Sequence, residues 1–124
     1  MIATALAGLQ AEPPARPPLG PPTNALFSGA RSALDARLFD FPSARFRDVR
    51  GDANVLCGFV NAKNRLGAYT GWKRFAYVAF GDDPSIYFDE PDGSGDIMLD
   101  AACGDDGLRR TGPDYSARIS APRN

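Results

Sequence analysis

Basic, aromatic and amide side chains are concentrated in one segment near the middle of the chain, residues 61–72. Six of them are candidate binding residues: Asn61, Lys63, Asn64, Arg65, Tyr69 and Trp72. Lysine and arginine beside tyrosine and tryptophan suit an anionic partner, such as an acidic protein, a polyanionic glycan or a lipid head group. The alternative is a structural loop, in which asparagine and glycine shape the backbone while the two rings cover the core.

A second stretch, residues 90–101, carries acidic and hydroxyl side chains at spacings that resemble a calcium-binding EF-hand loop. They take the first, third and fifth ligand positions, and Gly95 takes the place of the turn glycine. The last position, where a bidentate glutamate would bind the ion, is Ala101. An acidic turn that caps a short helix is the favoured interpretation. Four residues stay weak candidates for binding Ca²⁺: Glu90, Asp92, Ser94 and Asp96.

Catalytic chemistry has little support in the residue types present. The chain has no histidine, which removes the commonest general base and the commonest metal ligand. Cys57 lacks a histidine to activate it as a nucleophile, and no spacing selects one pair among the many carboxylates. We therefore expect a non-catalytic interaction domain without a cofactor. Two alternatives stay open, a small carboxylate-dependent hydrolase-like enzyme and a weak calcium-binding module.

The charged residues are segregated along the chain, although the net charge is only −1. Residues 41–80 contain seven Lys or Arg and two Asp, whereas residues 81–108 contain nine Asp or Glu and no base. The simplest expectation is that the two segments face each other and neutralise. Basic residues with aromatic neighbours also suit nucleic acid, but the acidic second half and the export signal described next argue against that partner.

The N-terminal residues resemble the end of a bacterial export signal. Residues 1–11 are mainly apolar, end in small residues and are too short to cross a bilayer, which takes about 20 residues. Residues 12–24 contain three proline pairs and predict a semi-rigid tether. We expect no transmembrane span and a periplasmic or secreted protein. A plain apolar tail is the alternative.

The chain contains two cysteines, Cys57 and Cys103. In an oxidising compartment two cysteines tend to pair, so we expect a disulfide between them. In the chain-entropy model this bridge adds roughly 4 kcal/mol to the free energy of unfolding, because it restricts the unfolded chain. Two buried free thiols are the alternative.

Hydrophobic periodicity indicates which elements must position these groups. A 3.6-residue repeat predicts a helix over residues 25–39, with Asn24 as its N-cap and Pro42 beyond its end. Four strands follow with connections that favour an antiparallel meander. The predicted strands are 46–50, 54–61, 72–80 and 85–88.

A short helix is expected after the fourth strand, with Ser94 or Asp96 as its cap and Gly104 at its end. Cys103, at the end of this helix, would tie it to the sheet. The residues expected to face the core are Ile97, Met98 and Ala101.

Together these elements predict an α+β fold, with an N-terminal helix packed on a four-stranded antiparallel meander and a short C-terminal helix tied by a disulfide. The single domain is expected to cover residues 25–107. Residues 108–124 are polar and predict an irregular tail.

Residues spaced through the segment 42–75 form a pattern typical of a family motif. It consists of Pro42-Ser43-Ala44-Arg45-Phe46-Arg47, Val49, Cys57-Gly58, Val60-Asn61-Ala62-Lys63-Asn64, Gly67, Tyr69, Gly71 and Phe75. With a second cysteine near the end, this pattern resembles a family of small, largely uncharacterised bacterial exported proteins and lipoproteins. The resemblance implies export, a disulfide and this fold, and it brings no established activity.

Overall fold

A computed structural model of the protein describes residues 20–104 and 112–121. Its elements, in chain order, are helix α1 (Asn24–Arg37), a 3₁₀ turn (Phe41–Ser43), strands β1 (Arg45–Gly51), β2 (Val55–Lys63), β3 (Tyr69–Val78) and β4 (Ser85–Phe88), and helices α2 (Asp96–Cys103) and α3 (Ser116–Ile119). The strands lie in the order β1-β2-β3-β4, and each neighbouring pair is antiparallel. The predicted α+β fold class is therefore confirmed. Within the described residues, no helix is long and apolar enough to cross a membrane.

The predicted N-terminal segments lie almost wholly outside the described residues. This applies to the signal-like segment 1–11 and to most of the proline-rich tether 12–24. The last residue assigned to the tether, Asn24, is the first residue of α1.

Helix α1 begins after Thr23, whose hydroxyl accepts a hydrogen bond from the Leu26 N–H at 3.1 Å. The prediction of Asn24 as the cap is wrong, because Thr23 has the extended backbone that a cap requires and Asn24 is already helical. The helix stops at Arg37, two residues before the predicted end, since Leu38 is extended. The buried side of the helix follows the predicted repeat: Leu26, Phe27, Ala30 and Leu34.

The main core lies between one face of the sheet and a layer formed by α1, α3 and the 3₁₀ turn. Aromatic rings connect these parts. Phe46 of β1 packs edge-on against Phe41 at 6.1 Å and against Phe75 at 5.8 Å between ring centroids. The sheet residues fully or nearly fully buried here are Val49, Leu56, Val60, Phe75 and Tyr77. Helix α1, helix α3 and the 3₁₀ turn therefore cover most of the apolar side chains on this face.

Strand β1 contains a β-bulge that the alternating pattern does not reveal. The register with β2 shifts between Arg47 and Arg50, and Asp48 has a positive φ of 53°. The extra residue turns Val49 into the core, where it is fully buried. A Cβ at Gly58 would lie 2.7 Å from the Val49 Cγ2 atom, so the glycine after Cys57 makes room for the bulge.

Helix α3 extends the domain beyond the predicted boundary at residue 107. The segment 112–121 was expected to be an irregular tail, but Ile119 is fully buried in the main core. The Tyr115 N–H donates to the Val49 carbonyl at 2.6 Å, beside the bulge. One buried isoleucine and one tyrosine anchor a helix of only four residues, which is too short to give a periodic pattern.

The second face of the sheet is covered in part by α2. The predicted disulfide between Cys57 and Cys103 is present, with the two Cα atoms 5.9 Å apart. Leu99 is the fully buried residue of α2 and packs with a small apolar cluster of the sheet. The predicted core-facing residues of this helix are wrong: Ile97, Met98 and Ala101 are all exposed.

Helix α2 ends where the sequence predicts, but its N-cap is a different residue. Its N-cap is Gly95, with no side-chain cap bond, and neither Ser94 nor Asp96 takes this role. A Cβ at Gly95 would lie 2.2 Å from the Phe88 carbonyl oxygen, so close packing on β4 selects glycine there. The predicted end at Gly104 is correct, and this residue has a positive φ of 71°.

Candidate functional site: a cationic–aromatic sheet face

The predicted loop 61–72 is mainly sheet. Strand β2 continues to Lys63 and β3 begins at Tyr69, so the connection is only the exposed turn 64–68. The strands extend this far because Asn61 and Lys63 pair with Trp72 and Tyr69, through an irregularity in the register. Four of the six predicted binding residues therefore have strand backbone, which aligns their side chains with those of β1.

The register places two rows of side chains side by side on the second face of the sheet. Arg45, Asn61 and Trp72 form one row, and Arg47, Phe59 and Arg74 form the next. Arg45 and Arg47 are exposed, and Trp72 is 40% exposed. The apolar cluster beneath α2 begins farther along this face, at Cys57. We call the uncovered part the cationic–aromatic face; it consists of Arg45, Arg47, Phe59, Lys63, Tyr69 and Trp72.

Arg47 lies between two aromatic rings. Its guanidinium carbon is 5.1 Å from the centroid of the Phe59 ring and 4.5 Å from that of the Trp72 ring. Both distances are within the range of cation–π attraction, which holds the side chain in place. A guanidinium held by its flat surface can still donate hydrogen bonds from its edge.

The ring of Tyr69 contacts two further cations, Arg45 and Lys63. The guanidinium carbon of Arg45 is 4.2 Å from the centroid of the Tyr69 ring, and Lys63 Nζ is 5.4 Å from it. The Tyr69 hydroxyl donates a hydrogen bond to the Ser43 carbonyl at 2.9 Å, which fixes the ring against the 3₁₀ turn. Two positive charges are thus held near one ring despite their repulsion.

The side chains of the two asparagines accept hydrogen bonds from backbone N–H groups. Asn61 Oδ1 accepts a hydrogen bond from the Gly71 N–H at 2.9 Å, next to the register irregularity. Asn64 Oδ1 accepts from the N–H groups of Leu66 and Ala68 at 2.9 and 3.1 Å. As the structural-loop alternative expected, both asparagine side chains bind backbone N–H groups, Asn61 between β2 and β3 and Asn64 within the turn 64–68.

Arg65 lies beside the cationic–aromatic face, at the tip of the β2–β3 connection. Its guanidinium carbon is 5.5 Å from the centroid of the Phe39 ring, in the segment that follows α1. Phe39 is 59% exposed and Leu66, next to Arg65 in the turn, is 92% exposed. The tip therefore presents apolar and basic groups together.

Among the described residues, the basic and acidic segments form ion pairs with each other at Arg74 alone. Arg74 forms ion pairs with Asp89 and Asp100, at 3.1 and 3.0 Å, and with Asp96 at 3.7 Å. The hydrogen bond to Asp100, opposed by burial and supported by Asp89, raises the pKa of Arg74. Within the described parts of the chain, five other basic residues of the segment have no ion pair: Arg45, Arg47, Lys63, Arg65 and Lys73. The expected mutual neutralisation is therefore wrong for these residues, because Asp89, which follows β4, and the acidic residues of α2 pair with Arg74.

The candidate calcium residues form a compact acidic turn. The Gly93 N–H donates to the Glu90 carbonyl at 2.9 Å, and Asp92 Oδ1 accepts from the Ser94 N–H at 2.9 Å. These hydrogen bonds from Ser94 lower the pKa of Asp92. Asp96 faces Arg74. Across residues 20–104 and 112–121, no group of three or more His, Cys, Asp or Glu side chains is placed to hold a metal ion.

A cleft of about 340 Å³ lies between the cationic–aromatic face and α2. Its carboxylate is that of Asp48, which accepts a hydrogen bond from Arg50 at 3.2 Å. A hydrolase of the kind considered above would need two neighbouring carboxylates, one of them with a raised pKa. Among the residues that the structure describes, the lining of the cleft supplies one carboxylate, that of Asp48. Its main lining residues are Asp48, Arg50, Phe59, Arg74, Leu99 and Cys103.

The sequence did not identify Arg45, Arg47 and Phe59 as part of the binding site. The predicted strand 46–50 included Arg47 but not Arg45, and the neighbours of both arginines across the sheet depend on the register. That register changes at the bulge, which has no marker in the sequence. Comparison of the chain with protein-family models, with curated proteins and with solved structures gave no match.

Proposed function

We propose that this chain is a non-catalytic interaction domain that binds an anionic partner through the cationic–aromatic face. The observation that carries the proposal is Arg47, which lies between Phe59 and Trp72 and has no ion pair among the described residues. An arginine paired with a carboxylate has lost much of its capacity for a second anion. Arg74, with three carboxylates around it, is the comparison within the same face.

Preorganisation supports the same conclusion. Long basic side chains lose rotamer freedom when a ligand fixes them, and this entropy reduces affinity. On this face the aromatic rings hold Arg45, Arg47 and Lys63 before any ligand binds. The side-chain entropy lost on binding is therefore smaller, because these side chains are already ordered in the free protein.

The spacing of the cations favours repeated anionic groups over a single small anion. Arg45 and Arg47 are two residues apart on the same side of β1, which corresponds to about 7 Å along a strand. Lys63 of β2 adds a third positive group through the Tyr69 ring. A surface that carries phosphate, sulfate or carboxylate groups at intervals can engage all three.

Trp72 provides a direct measurement, because it is the only tryptophan in the chain and belongs to the face. A heparin-derived decasaccharide serves as a soluble polyanion. We expect its addition to change the Trp72 fluorescence saturably, with an affinity that falls as salt is raised. The Arg47→Gln variant should bind about tenfold more weakly, because it loses a charged hydrogen-bonding group.

Lys73→Gln is the matched control. It removes one positive charge from the same strand, but Lys73 lies on the opposite face, beside Leu38 and Val60. Its heparin affinity should stay within about twofold of the wild type, since its charge is directed away from the site. Equal weakening by both substitutions would show nonspecific charge attraction, and unchanged binding by Arg47→Gln would exclude this face as the site.

The compartment is part of the same proposal, with the domain acting in the periplasm or outside the cell. The cystine supports this placement, because cytosolic thiols are kept reduced. Cell fractionation followed by intact-mass measurement tests it: we expect the protein outside the cytoplasm and two hydrogens lighter than its reduced form. Recovery of the reduced protein from the cytoplasm would contradict this part of the proposal.

A further inference from the structure

The β2–β3 connection carries an apolar residue at its tip, where a polar residue is usual. Leu66 is 92% exposed at the tip of the turn 64–68, and every residue of that turn is exposed. Hairpin turns normally carry Gly, Asn, Asp or Ser at such positions. A single exposed leucine is common on protein surfaces, so its meaning depends on its surroundings.

The turn holds Leu66 in a fixed outward position. Asn64 Oδ1 accepts hydrogen bonds from the Leu66 and Ala68 N–H groups, and the Gly67 N–H donates to the Asn64 carbonyl at 3.0 Å. Gly67 has a φ of 84°, which closes the turn without strain. The leucine therefore needs little reordering before it contacts a partner.

The surroundings of Leu66 are basic and aromatic. Lys63 and Arg65 both precede it in the chain, and neither has an ion pair among the residues that the structure describes. Phe39 lies under the Arg65 guanidinium and is 59% exposed. Trp72, on the neighbouring face, is the type of side chain that prefers the boundary between water and lipid.

We propose that this tip docks on a membrane surface that contains anionic lipid. Leu66 enters the boundary between head groups and acyl chains, Phe39 follows at the rim, and Lys63 and Arg65 bind lipid phosphates. The inference rests on the proposed function, since it names lipid head groups as the anionic partner.

Charge and apolar exposure together select the lipid over the other anionic partners. A sulfated glycan or an acidic peptide segment satisfies the basic groups but gives Leu66 no apolar environment. A membrane with anionic lipid provides both within about 10 Å of depth, as it does for amphipathic interfacial segments.

Vesicle binding tests the inference, with Trp72 fluorescence and co-sedimentation as readouts. The probes are vesicles of phosphatidylcholine alone and vesicles in which roughly a third of the lipid is phosphatidylglycerol. We expect co-sedimentation with the anionic vesicles and a saturable change in the Trp72 emission, because Trp72 lies on the face next to the tip. Leu66→Ser should weaken this binding about tenfold, from loss of one buried leucine side chain. Lys63→Gln and Arg65→Gln should each weaken it about fivefold.

Ile97→Ser is the matched control for Leu66→Ser. Ile97 is also a highly exposed apolar residue, 80% accessible, but it lies on α2 among acidic residues. Its substitution should leave vesicle binding unchanged. Equal binding to both vesicle types, or full binding by Leu66→Ser, would overturn the inference.

The heparin measurement separates this inference from the proposed function. Leu66→Ser should bind the decasaccharide as the wild type does, because it retains every basic group of the face. Heparin binding without vesicle binding would refute the membrane inference and leave the proposed function intact. Failure of both probes would refute both.

Discussion

Close contacts decide the role of individual residues in this protein, and Gly29 is the clearest case. Judged by helix propensity alone, a glycine within α1 lowers the stability of the helix by about 1 kcal/mol relative to alanine. In the structure a Cβ at this position would lie 2.3 Å from the Tyr77 hydroxyl oxygen, and Tyr77 is buried. Burial also raises the pKa of this tyrosine. The absence of a side chain at Gly29 is thus what lets the helix approach β3.

We expect Gly29→Ala to lower the free energy of unfolding by about 1–3 kcal/mol, as overpacking of a core does. In a Tyr77→Phe background the same change should cost much less, because the closest atom is gone. Urea unfolding of the four proteins provides the double-mutant cycle. A stabilising Gly29→Ala in the unaltered background would show that propensity outweighs the contact.

At the scale of single elements, β1 depends on a carboxylate supplied from outside the sheet. The N–H groups of Asp48 and Val49 donate to Asp114 at 3.3 and 3.1 Å, so the bulge is satisfied by a residue that precedes α3. Partial burial by itself would raise the pKa of Asp114, but hydrogen bonds from Ser116, Val49 and Asp48 outweigh it and the pKa is lowered. The ionised carboxylate therefore favours the folded state.

We predict that Asp114→Asn reduces stability by about 1 kcal/mol near neutral pH, similar to the loss of a helix cap. A lowered pKa in the folded state gives stability that is present above the unfolded value, about pH 4, and lost as the pH falls through the folded value. The difference between wild type and variant should therefore shrink below about pH 4. Urea unfolding at several pH values measures it.

Asp35→Asn, at an exposed position of α1, is the control for loss of a carboxylate. It should change stability by less than about 0.5 kcal/mol at neutral pH. An Asp114→Asn effect that persists undiminished in acid would show that the charge of Asp114 is not the cause.

The spacing of hydrophobic residues predicted the elements that are long enough to show a repeating burial pattern. Helix α1 follows from its 3.6-residue repeat, whereas β2 follows from an apolar run on both faces, as expected for a strand with a neighbour on each side. The bulge was not predictable, since it changes which residues are neighbours without changing residue types. Helix α3 was missed because a single turn around Ile119 has no period. For the site, Lys63, Tyr69 and Trp72 were identified from their types, whereas Arg47 and Phe59 join them only through the register.

At the scale of the whole molecule, the disulfide determines how much of the second sheet face is covered. Helix α2 contributes a single fully buried residue, Leu99, and its exposed residues include Ile97 and Met98. Such a short helix with so small an apolar contact gains little from packing alone. The bond between Cys57 and Cys103 therefore supplies much of its attachment.

The double variant Cys57→Ala/Cys103→Ala should be less stable by about 4 kcal/mol, as expected for a bridge that closes a long loop. Amide hydrogen exchange in α2 should accelerate more than exchange in α1, because local opening becomes accessible. The native Trp72 emission should be retained, since the tryptophan lies outside the region that α2 covers. Uniform acceleration over all elements would contradict a local role for the bridge.

The two connections of strand β3 carry opposite charge. Lys63 and Arg65 lie where β2 meets β3, while Asp82 and Asp83 follow β3 at its far end. These four charges contribute an electric dipole component roughly along strand β3. In the field of an anionic surface such a dipole experiences a torque that rotates the hairpin end forward before contact. For the proposed membrane docking, encounters would then begin in the productive orientation, and the association rate should fall with ionic strength more steeply than the small net charge suggests.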